Sequence, residues 1–185
     1  EKLQELYDIA IRTLILHSPG DVYPGPYTYK RFWFRDAAFI LNAMLCLGFY
    51  ERVKRVLDRF PSRQKRFGYF LSQEGEWDSN GEALWILQQY CLLTGEAPDP
   101  KWKEAVIKGG KWIVKKRLPS LPASSHAGLL PAGFSAEHLG PNDHYYWDDF
   151  WGVAGLRAAG FLADAYGNKD QADYFYREAE DFLKA

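Results

Sequence analysis

Near the start of the chain, apolar residues fall at Leu3, Leu6, Tyr7, Ala10, Leu14 and Ile15, with Glu5, Asp8 and Arg12 between them. Steps of three and four predict an amphipathic helix with one apolar stripe, closing near His17-Ser18-Pro19-Gly20. The next helical stretch, Ala37 to Gly48, is apolar nearly all round and must be enclosed by other helices. From Tyr50 to Phe60 a single stripe returns (Val53, Val56, Leu57, Phe60), and Pro61 is expected to stop it. Phe67-Gly68-Tyr69-Phe70-Leu71 with the Glu74-Gly75 turn reads as a short extended or hairpin excursion. Glu76-Trp77-Asp78-Ser79-Asn80 then offers polar capping groups to an enclosed helix from Gly81 to Leu93. Another striped helix carries Trp102, Ala105, Val106, Trp112 and Ile113 opposite Lys103, Lys108, Lys111 and Lys115. An enclosed helix over Asp148 to Tyr166 and a striped one with Ala172, Phe175, Tyr176, Ala179 and Phe182 complete the series.

The pattern is thus all-α, seven helices alternating outer and inner. Each enclosed helix ends at a glycine (Gly48, Gly95, Gly167) suited to a left-handed C-cap, and a striped helix follows. The repeating unit is an αα-hairpin. Residues 1–185 read as a single domain, with one long connection, 118–147, too long to be a passive linker and therefore expected to shape a site. Arg35-Asp36, Trp77-Asp78-Ser79-Asn80 and Trp147-Asp148-Asp149 all precede or open inner helices, so parallel inner helices would gather these clusters at one end.

Composition narrows the function. The chain is 47% hydrophobic and 25% charged, ordinary for one globular domain. Its 23 basic and 24 acidic side chains give a net charge of −1, without the basic face that nucleic acid demands. Aromatic residues make up 17%, including seven Trp, which suggests rings used as a binding surface. Cys46 and Cys91 fall in apolar helical stretches and read as buried free thiols. No run approaches the roughly 18 apolar residues of a membrane span. Glu1-Lys2-Leu3-Gln4-Glu5 is no signal peptide, so a cytoplasmic location is expected, and the lack of an initiator Met suggests an excised piece.

The candidate chemistry centres on Tyr145-Tyr146-Trp147-Asp148-Asp149-Phe150-Trp151, two carboxylates among aromatic rings. A ring-walled carboxyl is desolvated, which favours its protonated form and suits a general acid; the same pair could instead cap the helix start. Arg35 and Asp36 form either a plain ion pair or a pair of sugar-hydroxyl ligands. Trp33, Trp77 and Trp147 either pack in the core or face the C–H surface of a sugar, and Gly75 and Gly81 around Trp77 suggest an exposed loop. His126, His138 and His144 share the long connection with Glu137 and Asp143, but their spacing matches no tight ligand pattern, so no metal is expected. Nucleophile-elbow, phosphate-loop and dinucleotide motifs are lacking, and no cofactor is expected.

Three motifs carry a resemblance: Phe32-Trp33-Phe34-Arg35-Asp36-Ala37-Ala38, Gly75-Glu76-Trp77 followed by Asn80-Gly81 and Ala83-Leu84, and Trp147-Asp148-Asp149. With these the chain resembles the six-hairpin glycosidases, in particular the glucoamylase-like group and trehalase- or debranching-type relatives. The resemblance implies an (α/α)6 toroid of which this chain supplies about half. It also implies a carbohydrate substrate, with Trp33, Arg35, Asp36, Trp77, Asp78, Asn80 and Trp147 at the sugar. Glucoamylase-like members have Trp followed by two Glu, the first being the general acid, and several relatives use Asp; this gives the acid role to Asp148, with Asp149 second. The expected reaction is inverting hydrolysis of α-glucoside-type oligosaccharides. The general base normally comes from the other half of the domain, so the chain alone is expected to be inactive and to self-associate or pair with that half. A non-catalytic carbohydrate-binding or oligomeric module is the alternative, and a polysaccharide lyase or cyclase a further one.

Overall fold

The computed structural model describes residues 1–25, 27–120, 125–134 and 140–185. Among them the chain is all-helical: α1 (Lys2–Leu16), α2 (Phe34–Cys46), α3 (Tyr50–Leu57), α4 (Phe60–Arg63), α5 (Ser79–Thr94), α6 (Lys103–Lys116), α7 (Tyr146–Ala165) and α8 (Lys169–Lys184), with a 3-10 turn at Pro100–Trp102. The expected third helix is divided. It ends at Leu57, and Pro61 sits in the first turn of α4 instead of stopping α3, because proline's fixed φ and missing N–H are harmless there. The 67–71 stretch forms no strand. It is a turn in which Lys65 N–H reaches the Tyr69 carbonyl and Asn80 fastens the backbone of Gly68 and Phe70.

Three αα-hairpins carry the architecture. In the first, Phe34 at the start of α2 meets Phe60 beyond the end of α3, ring centroids 5.0 Å apart, while Phe49 N–H bonds back to Met44 across the turn. In the second, Asn80 near the start of α5 bonds to Gly109 in α6 and Tyr90 near its end meets Trp102. In the third, Gly152 and Gly160 of α7 lie under Phe182 and Tyr176 of α8, so the two helices run antiparallel. The turns close as expected, since Gly48, Gly95 and Gly167 all have φ between 73° and 80°, a region costly for residues with a Cβ.

The inner helices α2, α5 and α7 lie side by side and run the same way: Arg35 pairs with Asp78 and Phe39 with Trp85, while Trp147 bonds Asp78 and Trp151 meets Trp85. α5 is the middle one. A Cβ on Gly155 would stand 2.5 Å from the Gly81 Cα, and one on Gly81 would strike the Trp151 carbonyl, so only glycine lets these two backbones approach. Ala83, Leu84, Ile86, Leu87 and Tyr90 of α5 are all buried, consistent with a helix apolar round its circumference. Each such Leu or Ile contributes about 1.5–3 kcal/mol by leaving water.

Helix α1 behaves differently from the outer helix that its stripe predicts. None of its residues is buried, and Leu3, Leu6, Tyr7, Ile9 and Leu16 are exposed. Its C-terminal end alone is tied down, by Arg52 donating to the carbonyls of Ile15 and Ser18. Of the two cysteines, Cys91 is buried as expected, but Cys46 is exposed, because it lies on a face of α2 that no helix covers. No helix among the described residues is long and apolar enough to cross a membrane.

Candidate functional site

The three inner-helix N-termini converge on a cleft of about 110 Å³ lined by Arg35, Glu76, Asp78, Phe134, Tyr145, Trp147 and Asp148. Drug-sized ligands fill roughly 300–1,000 Å³, so the cleft is small beside an ordinary ligand pocket. Its organiser is Asp78. One oxygen, Oδ2, accepts from Arg35 Nη1 at 2.9 Å and from Trp147 Nε1 at 2.8 Å, which locks α2, α5 and α7 together at one carboxylate. Arg35 also reaches Glu76 at 3.7 Å. The polar residues expected to cap α5 do not: Asp78 makes no cap hydrogen bond, and its Oδ2 serves the neighbouring helices instead.

Nor is the acidic pair of α7 a cap. The helix begins at Tyr146 with Tyr145 at the N-cap, so Asp148 and Asp149 lie inside the first turn. They face different surroundings. Asp149 accepts from the Leu130 N–H at 2.9 Å and so pins the long connection. Burial raises its carboxyl above the ordinary range, opposed by that N–H, His144 and Arg117. Asp148 faces the cleft. Burial first, then the charges of Asp78, Asp149 and Glu76, push its carboxyl up to about 8 against the lowering effect of Arg35. Burial likewise lifts Glu76 to about 7, although Arg35 opposes it.

The long connection contributes Phe134 and Tyr145 to the cleft lining. Gly133 and Asp143 exchange both backbone hydrogen bonds, and Phe134 N–H bonds the Gly75 carbonyl at 2.7 Å. A side chain at Gly133 would strike Trp77 and the Gly75 carbonyl. His126 and His144 stack with ring centroids 3.9 Å apart, and His144 meets the Leu130 carbonyl. Glu137 and His138 lie outside the described residues, among which no group of three side chains could hold a metal.

The other candidates divide. Trp33 is not among the residues that line the cleft; Arg31 lies over its ring at 3.9 Å and Arg35 at 6.0 Å, and Asp36 follows Arg35 on the first turn of α2. Trp77, by contrast, is 7% exposed, packed with Tyr69 and Trp112 and covered by Lys116 at 3.6 Å. Its loop is not the exposed one its glycines suggest, because Gly75 and Gly81 serve close backbone contacts instead. Asn80 is fully buried, and its amide is consumed by Phe70, Gly68 and Gly109. Neither side chain lines the cleft.

Glu82 and Phe134 escape a motif-based assignment, while Glu76 and Tyr145 stand inside the quoted stretches without a role of their own. Glu82 left a signal, an acid on an otherwise apolar helix; Glu76 left only its place beside Trp77. No family model, curated protein sequence or solved structure matches the chain.

Proposed function

We propose that the chain carries the proton-donating side of a glycoside hydrolase site for α-glucoside-type oligosaccharides, with Asp148 as general acid. The observation that carries this reading is the buried Asp148 carboxyl in a cleft walled by Trp147, Tyr145 and Phe134, where that burial and the neighbouring carboxylates push it up to about 8. Glycosidic cleavage requires a proton on the leaving oxygen, and such an acid is most effective when its pKa lies near the working pH. Arg35 and Glu76 supply a donor and an acceptor for the hydroxyls of one sugar, Asp78 holds Arg35 and Trp147 in place, and the Trp147 ring, 45% exposed, supplies a flat apolar face for the sugar's C–H surface. Inversion and the half-toroid frame belong to the same proposal.

The test uses the longest form of the protein that contains this chain. A glycan array identifies the sugar, and turnover is then measured on substrates with poor and activated leaving groups. Asp148→Asn is expected to keep sugar binding while lowering turnover on a poor leaving group by roughly 10²–10⁴-fold, since an amide cannot deliver the proton. Arg35→Ala should mainly weaken binding. Full turnover by Asp148→Asn with loss in Asp149→Asn would move the acid role to Asp149. The exposed Tyr146 and Phe150 rings next to Trp147 favour a second reading, a carbohydrate-binding module, which sugar binding without turnover in any form of the protein would establish.

A further inference from the structure

Behind the cleft, Glu82 is fully buried in α5, and neither of its side-chain oxygens has a hydrogen-bond partner. Its backbone N–H bonds the Asp78 carbonyl at 3.1 Å, so Asp78 stands one turn earlier on the same helix face. Asp78 in turn has one oxygen, Oδ1, that is buried and without a partner, while Oδ2 already takes Arg35 and Trp147. Two buried carboxyl groups on one face, each with bare oxygens, leave an unsatisfied pair unless a proton lies between them. We propose that Glu82 is a neutral positioning residue whose carboxylic acid donates its proton to Asp78 Oδ1, fixing the carboxylate that binds Arg35 and Trp147.

The surrounding charges agree. Arg35 and Asp36 approach from α2 and Asp78 from α5 itself; Glu76 lies in the preceding loop and Asp148 on α7, both within electrostatic reach of Asp78. Four carboxyl groups thus share Arg35. Burial, then Asp78, hold the Glu82 carboxyl well above the ordinary range, with Arg35 in opposition. A proton on Glu82 satisfies Asp78 Oδ1 and removes one negative charge from the cluster. Asp78 then acts as a pure acceptor for Glu82, Arg35 and Trp147, with its plane fixed from both ends.

This inference rests on the proposed site, but its test needs no substrate. Infrared spectra of the intact chain are recorded at alkaline pH, above the range in which Glu76 and Asp148 titrate, and compared among the parent, Glu82→Gln, Glu82→Leu and Asp148→Asn. A carboxylic-acid band is expected in the parent and in Asp148→Asn and should be missing from Glu82→Gln. The second readout is hydrogen exchange at the Trp147 indole N–H, assigned with Trp147→Phe. Glu82→Gln, whose amide also donates to Asp78, should keep the parent's slow exchange. Glu82→Leu, which cannot donate, should exchange at least roughly tenfold faster, the equivalent of about one hydrogen bond. A parent lacking the Glu82-dependent band, or Gln and Leu variants with equal exchange, would overturn the proposal. Should Glu82→Leu fail to fold, the infrared comparison of parent with Glu82→Gln still decides. Loss of sugar binding or turnover by the parent would defeat the proposed function and leave this result standing.

Discussion

Asp148 and Glu76 make the site's chemistry and the protein's stability move together. Their carboxyl groups rise from ordinary values of 3.8 and 4.5 to about 8 and about 7 in the folded chain. The folded state therefore binds more protons than the unfolded state across those intervals. By linkage, the favourable contribution is complete below the ordinary carboxylate range and is lost as pH rises through about 7 to 8. Asp99 shifts the other way, lowered chiefly by its hydrogen bond from Lys54, so its contribution fades at the acid end instead. The difference between Asp148→Asn and the parent isolates the first effect. The variant's melting temperature should match the parent's near pH 4 and exceed it increasingly toward pH 8, and a pH-independent difference would show that Asp148 is not the buried acid described here.

At the scale of elements, two positions test how the inner helices are held. Asn80 satisfies three buried backbone groups from two neighbouring segments, and Asn80→Ala should cost at least ~2 kcal/mol in a denaturant titration, because those groups stay buried without a partner. If Asn80 instead served the ligand, stability would hold and affinity alone would fall. Gly81→Ala forces a methyl against the Trp151 carbonyl, which is backbone and cannot step aside, so a loss of about 1–3 kcal/mol is expected. Gly95→Ala is the control. It meets nothing in space and bears only the strain of a left-handed φ of 75°.

For the whole molecule, the outstanding feature is uncovered apolar surface. The stripe of α1 faces solvent, and the rings of Phe39, Trp85, Trp147 and Trp151 form a continuous seam across the three inner helices, with Phe39 and Trp147 each 45% exposed. Contiguous exposed apolar patches promote association. The chain should show a mass above that of a monomer by light scattering. Leu6→Gln combined with Ile9→Gln should lower that mass while changing stability by less than ~0.5 kcal/mol, since neither side chain is buried. A monomeric parent would remove α1 as an association surface.

Most helical segments and the glycine turns were legible because hydrophobic period and C-capping are local properties, and the all-round apolar stretch at 81–93 needs enclosure wherever it sits; the division of the third helix and the bare face of α1 were not. So was the gathering of Arg35, Asp78 and Trp147, once inner helices were taken to run in parallel. Side-chain destinations were not. Trp77 and Trp147 both stand beside an acid at a helix entry, yet one is closed over by Tyr69, Trp112 and Lys116 while the other opens on the cleft. Asp148 and Asp149 are neighbours in sequence, and only their 100° separation around α7 sends one to the cleft and the other to the Leu130 N–H. Glu76 and Glu82 joined the cluster through burial, which depends on every element packed around them. Local periodicity thus sets which segments become helices, and packing in three dimensions decides which carboxyl groups lose water and keep a proton.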